Sequence, residues 1–183
     1  MLRNSTKIYY AKVGKINLVK KVKTLPESRL VKLEQYSNEK DKKLCIGAFL
    51  LLRKALIRNF KFVKPYDFQY DINGKPIIKD HKIEISISHS GDYVAVALSS
   101  KPVGVDIQEK RDIDLEARKL VFDEADEKLF NDSIDKKDTF YSLWVSKEAK
   151  FKMDQTPFKN AQHFPQGIGC LKKLFCACSR LSV

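Results

Sequence analysis

Residues 83–109, IEISISHSGDYVAVALSSKPVGVDIQE, decide the fold. Ile83, Ile85 and Ile87 alternate with Glu84, Ser86 and Ser88, a period of two that predicts a strand with one polar face. Gly91-Asp92 supplies a turn. Tyr93–Leu98 is a nearly unbroken apolar run and predicts a strand buried on both faces. Lys101-Pro102 leads to a third strand over 103–108. There Val103, Val105 and Ile107 face one way, and Gly104, Asp106 and Gln108 the other.

Working outward, residues 39–59 carry the strongest helical signal. Leu44, Ala48, Leu51 and Ala55 recur at helical spacing, and Leu52 and Leu56 widen the stripe. Asn38, with Asp41 three residues on, marks its start. Residues 7–19 mix Ile, Tyr and Val with lysines and predict one or two strands. Asn73-Gly74 before Lys75-Pro76 predicts a turn. Residues 115–130 read as helix interrupted near Phe122–Glu124, 131–138 as a polar loop, and 139–152 as a second clear helix. Residues 153–183 show no clean periodicity apart from an apolar mix over Leu171–Ala177. Strands and helices follow one another without a fixed repeat, which predicts an α+β chain with a boundary near residue 102.

The 183 residues carry Lys and Arg in excess, for a net charge of +12. Residues 1–64 hold 17 basic against 4 acidic side chains, whereas 65–183 hold 18 against 19. The excess lies in the first third and suits an anionic partner. The basic residues spread over strand, loop and helix with no single reading element, so a nucleic-acid partner is not expected. No apolar run approaches the length of a membrane span, and the N-terminus has no apolar stretch ending in a cleavage signal. The sequence therefore predicts a cytoplasmic protein with no membrane contact. Cys45, Cys170, Cys176 and Cys178 are expected to be reduced thiols. Cys176-x-Cys178 is tighter than the paired spacings of zinc sites.

Asp106 stands on the polar side of an otherwise apolar strand. A hard cation takes such a carboxylate together with waters and phosphate oxygens, with Gln108 placed to add a carbonyl oxygen. Spacing alone favours a solvent-facing aspartate on an edge strand. Glu148 lies one helical turn before Lys152, so one face can present a metal or base group beside a phosphate-holding cation. The same spacing also describes a surface salt bridge. Ser86, Ser88, His89 and Ser90 cluster at a strand end, where hydroxyls and an imidazole can donate to phosphate oxygens. There is no G-x-S-x-G, P-loop or G-x-G-x-x-G pattern, which speaks against acyl hydrolysis and nucleotide folds built on those loops.

Gly74-Lys-Pro76, Ser86-Ile-Ser-His-Ser90, Val103-Gly-Val-Asp-Ile107 and Trp144-Val-Ser-Lys-Glu-Ala149 with Lys152, in that order, resemble the 4'-phosphopantetheinyl transferases of the larger, surfactin-synthetase-activating type. The resemblance runs over residues 8–152. It implies two pseudo-symmetric α/β lobes in one chain, an N-terminal lobe over 1–102 and a C-terminal lobe over 103–183. It also implies a monomer that uses Mg2+ and coenzyme A. The reaction it implies moves 4'-phosphopantetheine to a serine of an apo acyl, peptidyl or aryl carrier protein and releases 3',5'-ADP. On this reading Asp106, Gln108 and Glu148 hold the metal, and Glu148 is also the base for the carrier serine. Lys152 holds a phosphate. Ser88 and His89 contact coenzyme A phosphates, Lys75 lines the nucleotide pocket, and Lys42, Lys43 and Arg53 are the basic contacts of the first lobe. Gln108 departs from the family, which often has an acidic residue there. Residues 153–183 also depart: Pro157, Pro165, Gly167 and the cysteine-rich end do not read as the strands that complete the second lobe, so that lobe is expected to be incomplete. These departures leave an alternative, a non-catalytic relative that binds coenzyme A or a carrier protein.

Overall fold

The computed structural model describes residues 6–14, 18–60, 68–72, 74–79, 81–112, 114–154, 169–171 and 174–180. Its elements are β1 Lys7–Lys12, α1 Leu18–Val22, α2 Glu27–Glu34, α3 Glu39–Phe60, β2 Phe68–Tyr70, β3 Pro76–Ile78, β4 Glu84–Ser90, β5 Tyr93–Ser99, β6 Val103–Glu109, a 3-10 helix Leu115–Leu120, α4 Glu124–Asp132, α5 Lys136–Asp154, β7 Gly169–Leu171 and β8 Leu174–Arg180. The chain is α+β. A five-stranded antiparallel sheet runs β1-β5-β4-β3-β2, and a three-stranded sheet runs β6-β8-β7. Among the described residues no helix is long and apolar enough to cross a membrane.

Helix α3 forms where the apolar stripe predicts it, and the Asn38 side chain caps it by accepting the Asp41 N–H at 2.8 Å. Leu44 and Ala48 pack on Val94; Phe49, Leu52 and Leu56 pack with Ile85, Val96 and Leu98. Each fully buried Leu or Phe of this layer contributes about 2 kcal/mol. The other side of β5 presents Ala95 and Ala97 to Val103, Val105 and Ile107 of β6. Small residues there let β6 approach closely. Tyr93–Leu98 is thus covered on both sides, as its apolar run predicts.

Strand β6 is held between β5 and α5, and Gly104 makes the second contact possible. A Cβ at 104 would stand 1.8 Å from the Ala149 carbonyl oxygen and 2.8 Å from the Met153 nitrogen. Gly91, at φ 61°, turns β4 into β5.

Several expectations change. Residues 18 and 19, expected in a strand, open α1, residues 15–17 lie outside the described residues, and α2 carries no signal strong enough to have been anticipated. Helix α5 begins at Lys136, so the polar loop is shorter than 131–138. Gly74 has φ 78°, as a turn requires, while Asn73 lies outside the described residues. The stretch expected to lack strands contains β7 and β8, and β8 pairs with β6 along its whole length, from Val103↔Arg180 to Glu109↔Leu174. The open edge of β6 decides this pairing, and local periodicity does not reveal it.

Candidate active site

The polar side of β4 is not a solvent-facing surface. Ser86, Ser88 and Ser90 accept the backbone N–H groups of Val105, Ile107 and Glu109 at 3.0, 3.4 and 3.0 Å. Three hydroxyls stand in for a neighbouring strand along the edge of β6 that β8 leaves open. Side-chain acceptors satisfy N–H groups that would be costly to bury alone. These bonds fix the register between the two sheets and so fix where Asp106 falls.

Asp106 is 1% exposed, which removes the solvent-facing alternative. Its Oδ1 accepts from Ser88 Oγ and from Lys152 Nζ, each at 2.6 Å, and its Oδ2 accepts from Gln108 Nε2 at 3.1 Å. Lys152 Nζ also donates to Ser88 Oγ at 3.0 Å. The Ser88 hydroxyl therefore has its one donor and both acceptor positions in use. Ser90 Oγ donates to Gln108 Oε1 at 3.3 Å, which turns the Gln108 amide so that its NH2 faces Asp106. Strands β4 and β6 and helix α5 each contribute to this cluster.

Glu148 comes from the same face of α5 as Lys152, yet Lys152 pairs with Asp106 instead of with Glu148. Burial raises the Glu148 carboxyl above its ordinary value, the charge of Asp106 raises it further, and Lys152 opposes both. Two carboxylates that repel across a half-buried site, served by one lysine, are a donor set suited to a hard dication with phosphate and water completing its shell. Among the described residues no group of three His, Cys, Asp or Glu could hold a metal, so the carboxylates available are these two. Glu109 is not a third: its carboxylate takes the Arg111 guanidinium at 2.9 Å and lies over Gly91.

His89 points to the opposite side of β4 from the serines, with Ile87. Burial pushes its pKa below the ordinary value, Lys152 adds to that, and Asp41 at the start of α3 opposes it. Lys42 sits on the same first turn, next to Lys43, whose ammonium reaches Glu39 at 3.1 Å. Arg53 is about 16 Å further along the helix at 1.5 Å per residue. Lys75 bonds Glu84 at 2.6 Å, and Glu84 lies four residues, about 13 Å, along β4 from Ser88. Among the described residues, no hydrogen bond or ion pair joins Lys42, Lys43, Arg53 or Lys75 to the Asp106 cluster.

Two features escaped the sequence reading. One is the serine ladder, whose hydroxyls read as anion donors. The other is Lys147, fully buried between α5 and α4, 3.1 Å from Asp123 and 2.6 Å from Asp126. Those aspartates form the reciprocal cap of α4. Burial alone would raise Asp123, but the Asp126 N–H and Lys147 hold it below its ordinary value. A lysine inside an otherwise apolar helix face, with Asp-x-x-Asp opening the preceding helix, was the available signal. Beside Gln108 lies a cavity of about 260 Å³, lined by Ser90, Glu109, Arg111, Tyr141 and Trp144 among others.

Known proteins match a large part of this sequence. Residues 15–101 match the family model described as 4'-phosphopantetheinyl transferase, N-terminal. The 4'-phosphopantetheinyl transferase Sfp of Bacillus subtilis (strain 168) is 31% identical over 134 residues, covering 70% of this chain and 59% of that protein. The 4'-phosphopantetheinyl transferase psf-1 of Bacillus pumilus is 34% identical over 112 residues, 56% of this chain and 48% of its own. The 4'-phosphopantetheinyl transferase gsp of Aneurinibacillus migulanus is 32% identical over 124 residues, 64% and 51% respectively. The matched region thus spans between 48% and 59% of the length of these relatives. These matches support a 4'-phosphopantetheinyl transferase of the Sfp type.

Proposed function

We propose that the chain transfers the 4'-phosphopantetheine group of coenzyme A to a serine of an apo acyl, peptidyl or aryl carrier protein, releasing 3',5'-ADP. The observation that carries this reading is the convergence of Asp106, Lys152 and Glu148, from β6 and α5, on one part-buried site in a chain similar to this family. Asp106 and Glu148 would hold Mg2+, which when bound supplies positive charge to the pyrophosphate. Gln108 presents its NH2 to Asp106, and its carbonyl oxygen would serve the ion as a ligand if the amide turned over.

Glu148 is the group to take the proton of the attacking serine. Its raised pKa brings it nearer neutrality, where a base works best. The serine oxygen forms the new P–O bond as the bond from that phosphorus to the 3',5'-ADP oxygen breaks. Lys152, 29% exposed, is the mobile cation that moves from Asp106 to the charge developing on the leaving phosphate. His89, with Lys42 and Lys43 at the start of α3, suits a phosphate of the nucleotide end, and Ser88 and Lys75 complete the contacts to coenzyme A. Arg53 is the outlying member of that set. The cavity beside Gln108 suits the pantetheine arm. On this reading the chain has two lobes divided at 102/103, a division that the separate five- and three-stranded sheets support, and it acts as a cytoplasmic monomer.

The test is intact-mass analysis of apo carrier proteins incubated with the chain, coenzyme A and Mg2+. A gain of one phosphopantetheine group, lost in Asp106→Ala, supports the transferase. Coenzyme A binding with no gain on any carrier overturns it in favour of a non-catalytic binder.

A further inference from the structure

Lys147 is a buried ionisable group that the proposed reaction does not use, and it is the immediate neighbour of Glu148. Successive helical residues diverge by about 100°. Lys147 therefore faces α4, while Ala149, on the other side of Glu148, faces β6. Each neighbour is fixed. The Ala149 carbonyl lies against Gly104 so closely that no side chain fits between them. The Lys147 ammonium is sealed from solvent between Asp123 and Asp126, and those side chains accept each other's N–H groups at the start of α4. The rotation of α5 about its axis is thus pinned one residue before and one residue after Glu148.

We infer that Lys147 is a positioning residue: by tying α5 to the cap of α4 it sets the direction in which Glu148 meets Asp106. It touches neither substrate nor metal. Packing alone would not need it. A methionine would fill the same volume, and replacing a sealed ion pair by apolar groups is often neutral for stability. A methionine could not, however, grip the two carboxylates that define the α4 terminus, and the helix would keep its packing without a fixed rotation. The inference rests on the transferase reading, because it gives Glu148 its role there.

The test compares the wild-type chain with Lys147→Met and with Lys147→Met/Asp126→Asn. The double variant removes the buried charge that the single one leaves without its cation, so it restores the fold without restoring the clamp. Trp144, the sole tryptophan, stacks on Phe140 one turn before Glu148, and its emission reports metal binding in the presence of coenzyme A. The double variant is expected to recover the unfolding midpoint, keep its KM for coenzyme A within about twofold, lose about 10-fold or more in kcat, and need more metal for half-saturation by a similar factor. A double variant with a restored midpoint and wild-type kcat and metal response overturns the inference, since Lys147 is then structural alone. A raised coenzyme A KM with unchanged kcat overturns it as well. A wild-type chain that neither transfers nor responds to metal with coenzyme A instead fails the transferase reading, and the inference falls with it.

Discussion

Helix α5 carries two lysines five residues apart, each bound to an aspartate that is 1% exposed, and the two pairs are built differently. Lys147 is itself fully buried and meets Asp126 and Asp123, while Lys152 is 29% exposed and meets Asp106. The first pair is closed on every side. The second opens to solvent, and its lysine can leave without stranding itself. The partners differ too. Asp126 is held by its own helix cap, whereas Asp106 accepts from Ser88, Gln108 and Lys152, three donors on three elements. A sealed pair fixes geometry. An open one of the same chemistry can exchange its cation for a ligand.

The open pair bridges α5 and β6 and depends on their close approach at Gly104, whereas the sealed pair bridges α5 and α4, so Gly104→Ala strikes the open pair directly. The obstacle is backbone, 1.8 Å from the new methyl, so no rotamer change relieves it. Stability is expected to fall by about 3 kcal/mol or more, beyond the usual cost of overpacking, and transfer is expected to vanish. Urea denaturation checks this; a loss under about 1 kcal/mol would show that the helix has room to move.

Next in size is the contrast between Asp126→Ala and Asp106→Ala. The first strands Lys147 where no water reaches, at a cost of about 3–5 kcal/mol, with Asp123 keeping it toward the lower end. The second lets Lys152 swing into solvent and leaves the Ser88 and Gln108 donors unpaired, at about 1–2 kcal/mol, but removes transfer. Stability and activity should therefore rank the two variants in opposite orders. If both fall in the same order, the distinction between sealed and open pairs is wrong.

The legibility of these regions in the sequence follows the same line. Strands β4 and β6 alternate, β5 is a nearly unbroken apolar run and α3 carries an apolar stripe, and each lies where its pattern puts it, while α5 starts three residues before the expected 139. Strands β2, β3 and β7 have three residues each, too few for a period to register, and β8 is held by the edge of β6. At the site, the residue types of Asp106, Glu148 and Lys152 were readable, but their environment was not. Asp106 is buried because β6 is covered on two sides by elements up to 50 residues away in sequence. The serine hydroxyls had two possible uses, and nothing local distinguishes a phosphate from a backbone N–H as their partner.

Gln108 sharpens the open pair. Its NH2 donates to Asp106, so Gln108→Glu exchanges a donor for a second negative charge. Without metal the variant should lose about 1 kcal/mol. With metal it should reach half-saturation at a severalfold lower Mg2+ concentration, because a third carboxylate joins the set. Activity titrated against Mg2+ decides this, and an unchanged or weaker half-saturation counts against metal binding between β6 and α5.

The smallest effect lies on the other face of β4, at His89. Burial holds its pKa below the ordinary value; Lys152 and Arg29 act in the same direction, and Asp41 and Asp106 against it. The folded chain therefore binds this proton less readily than the unfolded chain does. Above about pH 6.5, the unfolded value, both states are neutral and His89 adds no pH dependence. As pH falls below 6.5 the unfolded state is protonated first, and stability is lost until the folded pKa is reached. In unfolding curves from pH 7.5 to 5.5, His89→Gln should lose less stability than wild type. A phosphate bound beside the imidazole would reverse the sign, since it favours the charged form. Coenzyme A should then bind more tightly as pH falls and take up a proton, seen as a binding enthalpy that varies with the ionisation enthalpy of the buffer. No uptake in wild type, or the same uptake in His89→Gln, would place the phosphate elsewhere and leave the open pair of Asp106 and Lys152 as the one part of the site where ligand charge is met.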